Sequence, residues 1–214
     1  EFGLLVATPI LTGSLVRLPL GILTDRYGGR IIFFIQMLLV SIPTWLVSYA
    51  TEYWQYLVLG LFVGLAGGSF AVGIAYVSKW YPQKQQGTAL GIFGMGNVGA
   101  AVTKFLAPFI MVAYGWKTVA QVWSIALLVM ALVFLFTTRD DPSLAERRRS
   151  QKAPEPFLAQ LEPLKNLQVW RFALYYFFVF GGFVALALWL PRYHVGVYGL
   201  DIVTAGRLGA AYSV

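Results

Sequence analysis

The chain has 214 residues, of which 58% are hydrophobic and 12% charged, and its mean hydropathy is +0.69. The apolar residues occur in runs of about twenty, the length at which a helix crosses the bilayer core. This composition excludes a water-soluble fold and predicts an all-α polytopic membrane protein. The absence of cysteine from the 214 residues excludes disulfides and thiolate metal sites in this part of the protein.

Membrane-spanning helices are predicted wherever an apolar run reaches the necessary length. They fall at about residues 3–22, 31–50, 55–78, 88–114, 119–138 and 171–191, with a seventh beginning near Ile202. The first span lacks an initiator methionine, a basic region and a cleavage site before it, and the seventh stops at Val214. We therefore expect an internal fragment of a longer protein.

The net charge of +7 is explained by topology, because most basic residues lie in alternate connections between the spans. The excess of Lys and Arg predicts that the connections at 23–30, 79–87 and 139–170 are cytoplasmic. We predict a multi-pass protein of the cytoplasmic membrane that does not bind nucleic acid. The long connection would be a linker between an N-terminal bundle (1–138) and the start of a second bundle (171–214), with Arg147, Arg148 and Arg149 facing solvent and lipid headgroups.

Arg17 lies within the first span, eight residues before Asp25, which corresponds to about 12 Å along a helix. A cation at that depth is costly unless water or an anion offsets it, and the predicted spans contain no Asp or Glu. The guanidinium group is planar and permanently charged, and its donors match a planar oxyanion better than an ammonium group does. Arg17 is therefore a candidate anion ligand.

The fourth span contains a glycine-rich run, in which Gly94, Gly96 and Gly99 satisfy the dinucleotide-binding pattern G-x-G-x-x-G. That function needs a preceding strand, and the run lies instead within an apolar helix. Together with Gly91, these glycines are predicted to be packing and sliding surfaces between helices. Asn97 could contact an anion or hydrogen-bond to a neighbouring helix, and the sequence does not separate these roles.

Lys104 follows Asn97 by seven residues and projects from nearly the same helix face. Three roles stay open for it: a vestibule charge that attracts anions, a proton carrier, and a side chain that extends toward the outer interface.

The segment Gly21-Ile22-Leu23-Thr24-Asp25-Arg26-Tyr27-Gly28-Gly29-Arg30 resembles the G-x-x-x-D-R-x-G-x-R loop of the major facilitator superfamily. That loop joins the second and third of twelve helices. The resemblance implies that the chain covers about helices 2 to 8 of the superfamily fold. Asp25, Arg26 and Arg30 are predicted to form a cytoplasmic gate, in which charge pairs between the bundles hold one conformation.

The segment Gly91-Ile92-Phe93-Gly94-Met95-Gly96-Asn97-Val98-Gly99-Ala100 resembles the nitrate signature of the nitrate/nitrite porters, the NarK-type carriers. The resemblance implies that the anion is held between the bundles by Arg17 and by a second arginine outside this chain. By position, it also assigns four site residues on three further helices, namely Phe70, Asn97, Tyr176 and Phe180. Tyr176 and Phe180 are four residues apart and should share one helix face.

These observations predict a secondary transporter that moves nitrate or nitrite by alternating access, as a functional monomer without cofactor or metal. The lack of a carboxylate within the predicted spans favours nitrate/nitrite exchange over proton-coupled uptake. A carrier of formate, oxalate or another monocarboxylate is the first alternative, because those anions are also planar at the charged end. A nontransporting nitrate sensor is the weaker alternative, since it needs an output domain. Without paired carboxylates or a nucleophile next to a base in the spans, an enzyme is not expected.

Overall fold

The computed structural model describes residues 2–142, 144, 149 and 159–212, and the regular elements within these ranges are all helical. Six of the helices are long and apolar enough to cross a membrane. They are Gly3–Tyr27, Gly29–Val47, Tyr53–Ser78, Gln83–Tyr114, Trp116–Thr137 and Leu167–Tyr198. The predicted number of full spans is confirmed.

The helices extend further into polar sequence than predicted. The first continues from the predicted end at residue 22 to Tyr27, so Asp25 and Arg26 lie in its last turn. The next begins at Gly29 and includes Arg30. The predicted loop at 23–30 is therefore wrong, and a single glycine, Gly28 with φ of +96°, turns the chain between the two helices. Hydropathy marks only the apolar core of a span, whereas a helix continues through the polar interface.

Three of the long helices are interrupted near their middle, so the regular elements are shorter than the spans. The α-helices in chain order are α1 (Phe2–Leu15), α2 (Arg17–Tyr27), α3 (Gly29–Val47), α4 (Tyr53–Val63), α5 (Ser69–Ser78), α6 (Gln83–Gly94), α7 (Val98–Tyr114), α8 (Trp116–Thr137), α9 (Leu167–Tyr198) and α10 (Ile202–Tyr212). Segments of 3-10 helix occupy Gly64–Gly68, Met95–Asn97 and Ala159–Lys165.

The described residues form two compact units, the first from 1–94 and 114–154 and the second from 95–113 and 155–214. In the first unit, α3 and α8 pack closely through small polar residues. Ser124 donates a hydrogen bond to the Ser41 carbonyl at 2.6 Å, and Gln121 donates to the Ser48 hydroxyl at 3.3 Å. Such bonds between helices stabilise packing where water does not compete.

Glycines also let α1 and the 3-10 segment Gly64–Gly68 approach each other. A Cβ built on Gly13 would lie 2.9 Å from the Gly64 carbonyl oxygen and 3.1 Å from the Gly67 Cα. A side chain there would force the two backbones apart, so this crossing depends on glycine. The crossing lies about one helical turn before Arg17.

In the second unit, α10 packs its glycines against two prolines. A Cβ built on Gly206 would lie 2.7 Å from Cγ of Pro108 in α7, and one on Gly209 would lie 2.7 Å from Cγ of Pro191 in α9. Phe183 and Tyr212 stack between α9 and α10 with ring centroids 5.9 Å apart.

The division into bundles at 1–138 and 171–214, with a linker between them, stays a prediction. Of the arginine run in that linker, Arg147 and Arg148 lie outside the described residues.

Candidate functional site

The predicted anion-site residues of the first four spans lie at the mid-span interruptions. Arg17 is the first residue after α1 and α2 separate at Val16, and Phe70 is the second residue after the 3-10 segment Gly64–Gly68. Asn97 is the last residue of the 3-10 segment Met95–Asn97. Short 3-10 stretches within long helices commonly mark functional positions, because they tilt backbone groups out of the regular hydrogen-bond ladder.

Arg17 is half-buried and contacts the backbone of the third long helix. Its Nε atom donates a hydrogen bond to the Gly67 carbonyl oxygen at 3.2 Å. Ten residues separate it from the end of its helix at Tyr27, so Arg17 lies about 15 Å from that end, near the middle of the 25-residue span. The glycine crossing at Gly13 and Gly67 brings the two helices close enough for this contact. Besides Nε, a guanidinium group carries two Nη nitrogens, and such paired donors match the oxygens of an oxyanion.

Gln36 contacts the same 3-10 segment from α3 and was not singled out from the sequence. It is 4% exposed, and its Nε2 atom donates to the Leu65 carbonyl oxygen at 2.6 Å. The available signal was a polar residue in the middle of the apolar run Ile31–Val40. That signal marks a special position but does not identify the partner.

Phe70 belongs to an aromatic contact that also includes a signature residue. Its ring centroid lies 5.7 Å from that of Phe93, and the Phe93 ring packs so closely on Gly73 that a Cβ there would overlap it. The contact between Phe93 and Gly73 could not be predicted from the sequence, because Phe93 is one of sixteen phenylalanines. The one sequence signal for this contact was Gly73, three residues after the predicted site residue Phe70.

Asn97 and the signature glycines are open in the structure. Asn97 is exposed, and no other described atom lies within 4 Å of a Cβ built on Gly91, Gly94, Gly96 or Gly99. The glycines that do pack tightly are others, Gly13, Gly67 and Gly73 among them. The packing role of the signature glycines stays a prediction.

Tyr176 and Phe180 stack on each other along α9, with ring centroids 5.0 Å apart and planes 10° from parallel. The prediction that they share one helix face is confirmed. The second unit contains these two residues and Asn97, whereas the first contains Arg17 and Phe70. The aromatic row continues from Phe180 to Phe183, whose centroid is 6.1 Å away.

The predicted gate residues make their described contacts within the first unit. Asp25 forms an ion pair with Lys79, with Oδ1 and Nζ 2.8 Å apart. Arg30 donates through Nε to the Leu135 carbonyl oxygen at 3.2 Å. The Arg26 guanidinium lies 5.7 Å from the centroid of the Tyr27 ring. The first two contacts tie α2 and α3 to neighbouring helices at their ends, and the gating role stays a prediction.

Lys104 is half-buried in α7, and its backbone carbonyl faces α10. A Cβ built on Gly206 would lie 2.9 Å from that carbonyl oxygen. Pro108, four residues later, has no N–H and cannot donate the usual helical hydrogen bond to the Lys104 carbonyl. The close contact with Gly206 therefore occurs where this helical hydrogen bond is absent. The next residue of α10, Arg207, places its guanidinium 5.1 Å from the centroid of the Phe109 ring. No group of three or more His, Cys, Asp or Glu suited to a metal ion occurs among the described residues.

The comparisons with known proteins agree with the helical architecture. Residues 1–214, the whole chain, match the sequence model of the Major Facilitator Superfamily. The chain belongs to the major facilitator superfamily. The predicted fold class is thereby confirmed, as an all-α membrane chain of a family of carriers rather than enzymes.

Several curated relatives are similar to nearly the whole chain. A Thermus thermophilus protein named "Probable nitrate/nitrite antiporter NarK1" is 44% identical, with 99% of this chain and 51% of that protein covered. The "Nitrite extrusion protein" of Bacillus subtilis is 36% identical, with 99% and 52% covered. A Staphylococcus epidermidis protein named "Probable nitrate transporter NarT" is 33% identical, with 96% and 51% covered. The resemblance to nitrate/nitrite porters is confirmed, and the chain spans about half the length of these relatives.

Proposed function

We propose that the chain is part of a carrier that moves nitrate and nitrite across the cytoplasmic membrane by alternating access. The observation that carries this proposal is the anchoring of Arg17 near mid-span on the Gly67 carbonyl. The guanidinium group is planar and permanently charged, so this position is suited to a planar oxyanion. The relatives' names add support for the substrate class, since they refer to nitrate, nitrite or both.

In the proposed site, Arg17 supplies positive charge and paired donors to the oxygens of the anion. Tyr176 adds a hydroxyl donor, and Asn97 adds an amide donor or a bond between helices. Phe70 and Phe180 exclude water, and they would meet the anion through ring edges, which carry positive charge. A dry site strengthens the attraction between guanidinium and anion relative to water.

We favour exchange of nitrate for nitrite over proton-coupled uptake. Asp25 is the one acidic residue within the six long helices, and it lies in a last turn, where it pairs with Lys79. A mid-span carboxylate that could carry a proton is therefore missing from this chain. Lys104 is proposed as a vestibule charge that attracts anions from the outer side.

Reconstitution of the full-length protein in liposomes tests the proposal. Labelled nitrate uptake would be measured with and without trapped nitrite, while a dye reports lumenal pH. Uptake that needs internal nitrite and leaves the pH unchanged is the expected result. Uptake into empty vesicles with acidification would replace exchange by proton symport. Uptake of formate or oxalate without uptake of nitrate would overturn the proposed substrate in favour of a monocarboxylate.

A further inference from the structure

Gln36 reaches the helix segment on which Arg17 is anchored. It lies in α3, 4% exposed, and its Nε2 atom donates to the Leu65 carbonyl oxygen at 2.6 Å. The same atom would lie 3.3 Å from a Cβ built on Gly68. The amide therefore packs directly against the 3-10 segment Gly64–Gly68.

Arg17 binds the same segment two residues further on. Its Nε atom donates to the Gly67 carbonyl oxygen at 3.2 Å. Two side chains from different helices thus hold the carbonyls of Leu65 and Gly67 within one turn of 3-10 helix. In such a turn the two carbonyls are fixed relative to each other, so a shift of one moves the other. The orientation of the Gly67 carbonyl, and with it that of Arg17, depends on how firmly the turn is held.

The other end of the Gln36 amide has no matching contact. Its Oε1 atom is buried and has no hydrogen-bond partner among the described residues. A buried acceptor without a donor is unfavourable, so an apolar side chain of similar volume should stabilise the fold about as well. Packing alone does not explain a glutamine at this position, whereas a donor directed at the Leu65 carbonyl does.

We propose that Gln36 is a positioning residue for Arg17. By holding the Leu65 carbonyl, it fixes the turn that presents the Gly67 carbonyl to Nε of Arg17. Arg17 then directs its Nη nitrogens at the transported anion in one orientation. This inference rests on the proposed function, in which Arg17 binds nitrate or nitrite.

The test compares Gln36→Met and Gln36→Leu with the parent full-length carrier in liposomes. Both variants remove the amide donor and replace glutamine by an apolar side chain of similar size. KM and kcat for labelled nitrate exchange and the Tm in detergent would be measured for each. Gln121→Leu is the matched control, since it removes a glutamine donor of the same unit that bonds to Ser48. We expect KM to rise about tenfold in the Gln36 variants, with kcat and Tm close to the parent, because one misaligned charged hydrogen bond costs about that factor.

A double-substitution cycle separates positioning from a general structural effect. Nitrate binding would be measured in Arg17→Lys with and without Gln36→Met. If Gln36 acts through Arg17, the second substitution adds little once Arg17 is replaced. An unchanged KM in both Gln36 variants, a fall in Tm without a change in KM, or full additivity in the cycle would overturn the inference. Failure of the parent itself to exchange nitrate would overturn the proposed function, and the inference with it.

Discussion

Nε of Arg17 lies 3.2 Å from the carbonyl oxygen of Gly67, 50 positions further along the chain. An arginine can hold a carbonyl through Nε and still present two Nη nitrogens to an anion, whereas a lysine has one nitrogen for both tasks. The Gly67 carbonyl that contacts the cation is a backbone group and does not titrate. The glycine crossing at Gly13 makes this contact possible by bringing the two backbones together.

Replacement of Gly73 by alanine should disturb the packing of the Phe93 ring and destabilise the protein. The added Cβ would overlap the Phe93 ring, which also contacts Phe70. Overpacking of this kind costs about 1–3 kcal/mol, so the Tm in detergent should fall. Gly60→Ala is the control, because its Cβ would meet Pro9 at an ordinary 3.6 Å. Equal Tm values for the two variants would show that Phe93 moves aside freely.

Replacement of Gly96 by alanine should lower turnover without lowering the Tm. No other described atom lies within 4 Å of its Cβ position, so folding of this chain should tolerate the methyl group. If the glycine face slides against another part of the full-length carrier, the same group should slow transport about tenfold. Gly196→Ala, which is equally open but outside the signature, should transport like the parent. Parent-like turnover of Gly96→Ala would contradict the sliding role.

Replacement of Asp25 by asparagine should change turnover more than KM. The substitution breaks the ion pair with Lys79. Because the Asp25 side chain is 48% exposed, the loss of stability should stay below about 1 kcal/mol. A gate residue changes the balance between conformations, and initial rates at saturating nitrate measure that effect. The exchanged pair, Asp25→Lys with Lys79→Asp, should recover part of the rate. A single variant with the parent's turnover would refute the gating role.

The first turn of α10 should fray in acid. Hydrogen bonds from the Thr204 side chain and from the backbone N–H groups of Thr204 and Val203 lower the pKa of Asp201 below its ordinary value. Because the pKa is lowered, the hydrogen bonds to the ionised Asp201 carboxylate stabilise the helix at pH values above the ordinary Asp pKa. This stabilisation disappears as the pH falls through the lowered pKa of Asp201. Once exchange rates are corrected for the intrinsic pH dependence of amide exchange, the protection of the Val203 and Thr204 amides should fall as the pH drops below about 4.

The variant Asp201→Asn is the control for this acid effect. Asparagine keeps a capping oxygen but does not titrate, so its profile should lack the acid step. An acid step of equal size in the variant would assign the fraying to another group.

The six spans could be predicted because hydropathy depends on composition alone, but their ends could not. The first helix continues through Asp25 and Arg26, and the last long one begins at Leu167 rather than near 171. Charged residues at a helix end lie at the polar interface, where the helix persists although the hydropathy falls. The charged residues at the helix ends, such as Asp25 and Arg26, therefore gave these positions the composition of loops.

The identity of Arg17 as a special residue could be predicted, but its anchor could not. A lone cation in an apolar run is visible in any sequence, whereas the choice of Gly67 depends on which backbone carbonyls a 3-10 turn exposes. The signature run was expected to be continuous helix, yet Met95–Asn97 is 3-10. Glycine clusters at 64–68 and 91–99 were the one local indication that these helices could change their winding.

Nitrate binding to the purified full-length protein, compared between the parent and Arg17→Lys, tests the central claim most directly. Arg207→Lys is the control, because that guanidinium lies over the Phe109 ring rather than on a carbonyl at mid-span. The account predicts that Arg17→Lys weakens binding about tenfold to hundredfold, the value of a bidentate charged contact, while Arg207→Lys binds nearly as the parent does. Equal affinities for the parent and Arg17→Lys would contradict it.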